Sequence, residues 1–264
     1  MASRFPTLTF ARALLLTNLK SALSLRGSFL LQATFMILNN FTFFVFWWVL
    51  FDRVPTIRGY GLSEMEALFG ISAAGFGLSQ ALFGGVRHLS RFIDEGELDS
   101  LLTQPKPTLL YALGMRSQPS GFGDFLSGLC LLWLSGYVRL ETLPFVVLAV
   151  AASTLGFLGA GIVFFSLPFF FGRTEVLSRQ LWDLTITFSL YPEPLFGGVL
   201  RFLLYTLLPA GFVSYLPLQV VRAATWFDVA ALTAGAAGAV ALGAFVFERG
   251  LRRYTSGSRF GVFG

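Results

Sequence analysis

The sequence predicts an all-α polytopic membrane helix bundle with about six transmembrane helices. Three observations predict it. First, 55% of the 264 residues are hydrophobic and 12% charged, and the mean hydropathy is +0.71, more apolar surface than a soluble domain of this length can bury. Second, uncharged runs cover 27–51, 67–86, 142–172, 202–221 and 229–247, each close to or beyond the roughly 20 residues that cross ~30 Å of hydrocarbon. Third, the basic residues fall mainly on alternate connections, as they do where Lys- and Arg-rich loops stay in the cytoplasm. No composition shift or internal repeat divides the chain, so 1–264 is read as a single membrane domain.

The segment 5–25 precedes the first span. Leu8, Leu15, Leu19 and Leu23 fall on one helical stripe with Thr17 and Ser21 roughly opposite and Arg12 within the stripe, a pattern that predicts an interfacial helix with its cations reaching headgroups. Arg4, Arg12 and Lys20 lie ahead of the first long apolar run, so no cleavable signal peptide is expected. The first span is placed at 27–51. Its Gln32, Asn39 and Asn40 are polar groups that need partners in hydrocarbon, and they are candidates to line a path or to bond between helices. Its aromatic cluster at Phe43, Phe44, Phe46, Trp47, Trp48 and Phe51 suits an interfacial belt.

The second span is placed at 64–86. The stretch 87–107 follows with four of the chain's 14 acidic residues, namely Asp94, Glu95, Glu97 and Asp99. A short helix over about 88–104, with acidic and leucine positions and stopped by Pro105 and Pro107, suits the docking of a partner protein. The third span, 121–138, contains Asp124 near one end and rests on 125–138 and on the need to return the chain. The fourth is 142–172. Segment 173–196, with Glu175, Arg179, Asp183 and Glu193 and the helix-breaking Pro192 and Pro194, reads as an amphipathic helix on the cytoplasmic face. The fifth span is placed at 197–221, where Pro209, Gly211 and Pro217 predict a broken or re-entrant segment near the outer surface. The last is 227–248. Ala73, Gly77 and Ala81, then Ala152, Gly156 and Ala160, then Ala231, Gly235, Ala239 and Gly243 recur every four residues, which predicts close helix packing.

With both termini in the cytoplasm, the inner segments collect Arg4, Arg12, Lys20, Arg26, Arg87, Arg91, Lys106, Arg116, Arg173, Arg179, Arg249, Arg252, Arg253 and Arg259. The outer ones keep Arg53, Arg58, Arg139 and Arg222, and Arg201 lies at a boundary. This dispersed charge suits anionic lipid, not nucleic acid. Enzyme chemistry finds little inventory. The single histidine, His88, and single cysteine, Cys130, supply no zinc set or disulfide. No Gly-x-Ser-x-Gly elbow occurs. Asp124 and Asp183 are placed at the cytoplasmic boundary, and Cys130 is read as a packing residue.

The order of an amphipathic N-terminus, two spans, a cytoplasmic Glu95-Gly96-Glu97-Leu98-Asp99-Ser100-Leu101-Leu102-Thr103-Gln104-Pro105 and four further spans resembles the bacterial ABC-2 type exporter permeases. Tyr191-Pro192, Arg201, Pro209 and Tyr215-Leu216-Pro217 extend the resemblance around the fifth span. It implies an exporter in which two permease subunits, the same or related chains, form the path above two copies of a separate ABC ATPase. It further implies that Arg91, Asp94, Glu95, Gly96, Glu97, Leu98, Asp99 and Leu102 contact the ATPase as a coupling helix, with the N-terminal helix nearby. The lysines are Lys20 and Lys106, and neither follows a glycine, so the phosphate-cradling loop of an ATPase is missing here. No cofactor is expected on this chain, with ATP and Mg on the partner ATPase. The resemblance places the protein in the bacterial cytoplasmic (inner) membrane. A non-transporting membrane scaffold, or a secondary carrier, is the alternative.

Overall fold

The computed structural model describes residues 10, 12–14, 16, 17, 20 and 26–255. The described residues are helical apart from turns, with one isolated bridge between Ile57 and Tyr60 and no strand. The helices are α1 (Arg26–Arg53), α2 (Leu62–Phe83), α3 (Leu89–Asp94), α4 (Leu98–Leu102), α5 (Thr108–Gly114), α6 (Pro119–Leu134), α7 (Leu143–Phe165), α8 (Pro168–Phe171), α9 (Glu175–Ser189), α10 (Gly198–Thr206), α11 (Leu216–Ala223) and α12 (Trp226–Leu251). Segments Arg26–Arg53, Leu62–Asp94, Leu143–Phe171 and Trp226–Leu251 are long and apolar enough to cross a membrane, and the bent pair Gly198–Thr206 and Gly211–Ala223 passes the same test jointly. An all-α polytopic membrane bundle is the result.

The tightest pairing is α2 against α6, and glycine makes it. A Cβ added at Gly121 would stand 2.6 Å from the Gly77 carbonyl oxygen, and one at Gly128 2.7 Å from that of Gly70. Neither distance is tolerable, so the two backbones touch where side chains would hold them apart. On α12 Ala239 and Gly243 of the predicted stripe pack on α7, but against Gly159 and Ile162, while Gly156 of the predicted α7 stripe and Gly235 of α12 face Val213 and Phe212 instead. α6 has 16 residues, about 24 Å at ~1.5 Å per residue. It is bounded by Pro119 at its first turn and by Gly136, whose φ of +73° turns the chain.

The segment 173–196 departs from expectation. α9 does not lie along one face; it runs through the bundle. Near its start Ser178 donates to the Phe164 carbonyl at 2.7 Å, and at its far end the Ser189 carbonyl accepts from Ser72 at 3.0 Å. Tyr191, just beyond, meets Trp47 with ring centroids 5.8 Å apart. Buried Ser178, Trp182, Thr185 and Ser189 form the inward stripe, while Arg179 and Asp183 are exposed on the other side. A reading based on gaps between charges fails where all the charge sits on one face of a traversing helix.

The predicted fifth span is correspondingly a re-entrant element. α10 and α11 are bent by 75°, and the two ends of the pair meet at one end of the bundle. Arg201 pairs with Glu193 at 2.8 Å, Arg58 donates to the Pro194 carbonyl at 2.9 Å, and Arg222 lies 3.9 Å from Glu64. A single π turn, Gly211–Tyr215, joins them inside the protein, where neighbouring helices shield its irregular backbone. The aromatic cluster of α1 also turns partly inward: Trp47 and Phe51 are buried and Phe43 stacks on Phe69, while Phe46 and Trp48 stay exposed. Cys130 lies on an exposed face of α6 instead of packing inside.

The α2–α6 contact predicts a contrast between glycines. Gly128→Val destabilises the detergent-solubilised protein by about 3 kcal/mol or more through overpacking against backbone. Gly238→Ala, with nothing within 4 Å of the added carbon, leaves the melting temperature unchanged or slightly raised. Thermal unfolding of the two variants measures the difference.

Candidate functional site

One end of the bundle carries a compact platform built from the 84–118 connection and the start of α9. Val86, Leu89, Phe92 and Ile93 pack with Leu98 and Leu101 of α4, Ala112 and Leu113 of α5, and Phe164 and Phe165 of α7. Ser90 bonds the Phe165 carbonyl at 3.0 Å. These contacts seat the whole connection on the helix ends, so its outward residues are held by a buried apolar base.

The segment expected to form one coupling helix over about 88–104 is two short helices. Glu95, Gly96 and Glu97 form the turn between α3 and α4, with Gly96 at φ +75°, a conformation that ends a helix and favours glycine. Arg91 holds the turn from one side, 3.6 Å from Glu95 and 3.4 Å from Glu97. Leu98 is fully buried and Leu101 nearly so, whereas Leu102 is 42% exposed and stands beside exposed Ser100 and Thr103. Asp94 is half-buried near Arg173 and Glu175, and Asp99 follows the turn with its amide donating to the Gly96 carbonyl at 3.2 Å. Residues Arg91 to Leu102 therefore form one rigid projection with a single apolar side chain turned outward from α4.

Of the N-terminal segment 5–25, the described residues are helical, with Thr17 bonding the Ala13 carbonyl at 2.8 Å. Leu8, Leu15, Leu19, Leu23 and Ser21, on which the stripe was predicted, lie outside the described residues. The helix rests on α5: Phe10 approaches Tyr111 at 6.0 Å, and the Lys106 ammonium sits over both rings at 4.7 and 5.3 Å. These cation–π contacts attach it to the platform. His88 stacks on Phe92 at 6.2 Å and Arg116 covers the same ring at 6.0 Å.

The three polar residues of α1 part company. Gln32 bonds Ser28 within its own helix at 3.0 Å, and Asn39 is exposed. Asn40 is buried and donates to Asp124 at 2.8 Å and to Ser127 at 2.7 Å. Asp124, expected at the cytoplasmic boundary, is thus buried opposite the midpoint of α1. The sequence offered one signal for this pair, an acid and an amide in two apolar runs, but nothing to register one helix against the other. At the opposite end from the platform, Glu64, Tyr137, Arg139 and Arg222 border a cleft of about 420 Å³. Tyr137 donates to Glu64 at 2.8 Å. Nearby, burial, and then the Glu193 carboxylate, push the Tyr60 phenol above its ordinary pKa.

The model of the ABC-2 family transporter proteins matches residues 37–258, from the middle of α1 past the end of α12. The chain belongs to this family. No curated protein and no solved structure matches it. An ABC-2 family protein is the membrane component of an ABC-type transporter, and membership implies association with an ABC ATPase. The matched stretch contains the whole projection from Arg91 to Leu102.

The left-handed turn makes the projection sensitive at one position. Gly96→Val places a β-branched residue at φ +75° and costs about 1–3 kcal/mol locally. Hydrogen exchange across 89–104 rises in this variant while exchange in α2 and α7 stays as in the wild type; unchanged exchange in 89–104 would contradict a strained turn.

Proposed function

We propose that the protein is the permease subunit of an ATP-driven exporter, that it forms the translocation path with a second permease, and that two separate ATPase subunits drive it. The observation that carries this reading is the projection at the basic end of the bundle. A turn braced by Arg91 and a helix anchored through Leu98 and Leu101 hold Leu102 out toward solvent, as a part must be held if movement of a soluble partner is to be passed to the bundle. A loop that only kept itself out of the lipid has no need of a buried base. In this reading Arg91, Asp94, Glu95, Gly96, Glu97, Leu98, Asp99 and Leu102 make up the ATPase contact, and ATP and Mg belong to the partner. The platform end, with Arg87, Arg91, Lys106, Arg116, Arg173 and Arg253, faces the cytoplasm under the positive-inside rule. In this reading both termini lie there too, and the membrane is the bacterial inner membrane.

A second subunit is supported by α9 and α1. α9 exposes Arg179, Gln180, Asp183 and Thr187, and α1 exposes Gln32 and Asn39, on the outside of the single chain. Charged and amide side chains at membrane depth do not face lipid without a heavy cost. A facing permease, with water between the two, removes that cost and turns both surfaces into the walls of a path. A scaffold has no use for such a face, and a secondary carrier has no use for the coupling projection.

Two measurements test the arrangement. Leu102→Glu, at an exposed site that leaves the core intact, abolishes co-purification of the ATPase and the ATP hydrolysis of the complex while the variant stays monodisperse; full retention of the ATPase would remove the assigned contact. Thr187→Cys in a Cys130→Ser background gives an oxidised dimer in membranes, and a chain that stays monomeric there speaks against a path shared through α9.

A further inference from the structure

The most unusual group in the interior is Asp124. It is 5% exposed, and its two oxygens are treated differently. Oδ1 accepts from Asn40 at 2.8 Å, and Ser127, itself bonded by Asn40 at 2.7 Å, donates to the Asp124 carbonyl at 3.0 Å. Oδ2 has no hydrogen-bond partner among the described residues, and no arginine or lysine among them pairs with the carboxylate. A buried carboxylate at membrane depth without a counter-charge is expensive and marks a functional position.

Asp124 is also on the wall of a cavity. About 200 Å³ of space lies between α1, α2, α6, α7 and α9, walled by Met36, Phe69, Phe76, Phe157, Ile186 and Leu190. Its polar groups are few. Asn40 is committed to Asp124 and Ser127, and Ser72 and Ser189 spend their hydroxyl protons on backbone carbonyls at 3.0 and 2.7 Å. Asn39, Asn40, Phe69 and Leu190 in its wall also border a second groove, of about 270 Å³, with Phe43 and Phe46. Together they reach the scale of ordinary small-molecule sites, roughly 300–1,000 Å³. The groove opens on the α1–α9 side, where the polar surface of the single chain lies.

We infer that this cavity is a binding site for the cationic group of a hydrophobic or amphipathic molecule, with the Asp124 carboxylate in its wall as the counter-charge. The aromatic side chains of Phe69, Phe76 and Phe157 in the wall suit an alkylammonium or similar soft cation, and the groove takes its apolar remainder. An anion is disfavoured by the bare carboxylate, and a neutral apolar ligand leaves Oδ2 as costly as before. The inference rests on the exporter reading, of which it names the substrate class.

The test is equilibrium binding to the full-length protein, purified with the subunits that accompany it and reconstituted in lipid nanodiscs, with empty nanodiscs as background. The probes are radiolabelled benzyltrimethylammonium and its uncharged carbon isostere, neopentylbenzene. The wild type binds the cation. Asp124→Asn, which keeps an acceptor for Asn40, weakens the cation by at least about tenfold and leaves the isostere unchanged. Ile186→Trp, which fills the cavity from α9 with Asp124 intact, weakens both. The inference is overturned if the wild type fails to bind the cation, if Asp124→Asn binds it as well as the wild type, or, should that variant not fold, if Ile186→Trp leaves cation binding unchanged. Failure of the cation to bind while an ATPase co-purifies sinks this site alone. Cation binding by a chain that brings no ATPase with it keeps the site and sinks the exporter reading.

Discussion

Backbone contact between α2 and α6 is the constraint on which the rest of the bundle depends. In lipid there is little hydrophobic force between helices, so close packing and interhelical hydrogen bonds must hold them. Gly70 and Gly77 on α2 and Gly121 and Gly128 on α6 bring the two helices closer than any side chain permits. On another face of α6, Gly123 lies against the Ala33 carbonyl of α1, and that approach brings Asp124 within reach of Asn40. The α2–α6 pair fixes where the 84–118 connection starts and finishes, because the Gln118 amide bonds the Gln80 carbonyl at 3.1 Å and Ser117 bonds that of Ala81 at 2.7 Å. A connection tied at both ends to adjacent helices loses freedom there, and its buried apolar side chains complete the restraint.

The two ends of the molecule are organised differently as a result. At the platform end, apolar burial under α3, α4 and α5 fixes a projection whose outward surface is small. At the other end, polar pairs close the re-entrant element: Glu193 receives both Arg201 and the Tyr205 hydroxyl at 2.9 Å, and Gln219 and Thr225 hold Asp228 at 3.0 and 2.6 Å. Between these ends the mainly apolar interior also holds buried polar side chains: Asn40 bonds Asp124 and Ser127, and Ser72 and Ser189 bond backbone carbonyls. The re-entrant element enters from the end opposite the platform and carries the least regular backbone, the π turn and the 75° bend, into the interior, where Val213 joins the apolar cluster of the platform.

Parts of this were legible in the residues. Long uncharged runs showed α1, α2, α7 and α12 because a helix wrapped in hydrocarbon has no other composition open to it. The 88–104 stretch was read as helical, which the two short helices bear out in part, and the broken region around Pro209 and Pro217 showed the re-entrant element. α9 was misread because its inward stripe is Ser178, Trp182, Thr185 and Ser189. Small polar residues that bond to carbonyls look like a surface helix until the partners are known. The break at Gly96 was hidden for a related reason: a glycine within a helical pattern does not reveal the sign of its φ.

The sequence by itself determined that the chain lives in a bilayer, which segments are apolar enough to enter it, and that a phosphate-cradling loop is missing, since each of these follows from residue type along the chain. Only the tertiary structure decided which helices touch and which polar residues meet. Asp124 and Asn40 are 84 positions apart, and their encounter is set by the rotation and depth of two helices against a third. Those quantities come from the fit of glycine backbones to one another, which no pattern along a single chain records.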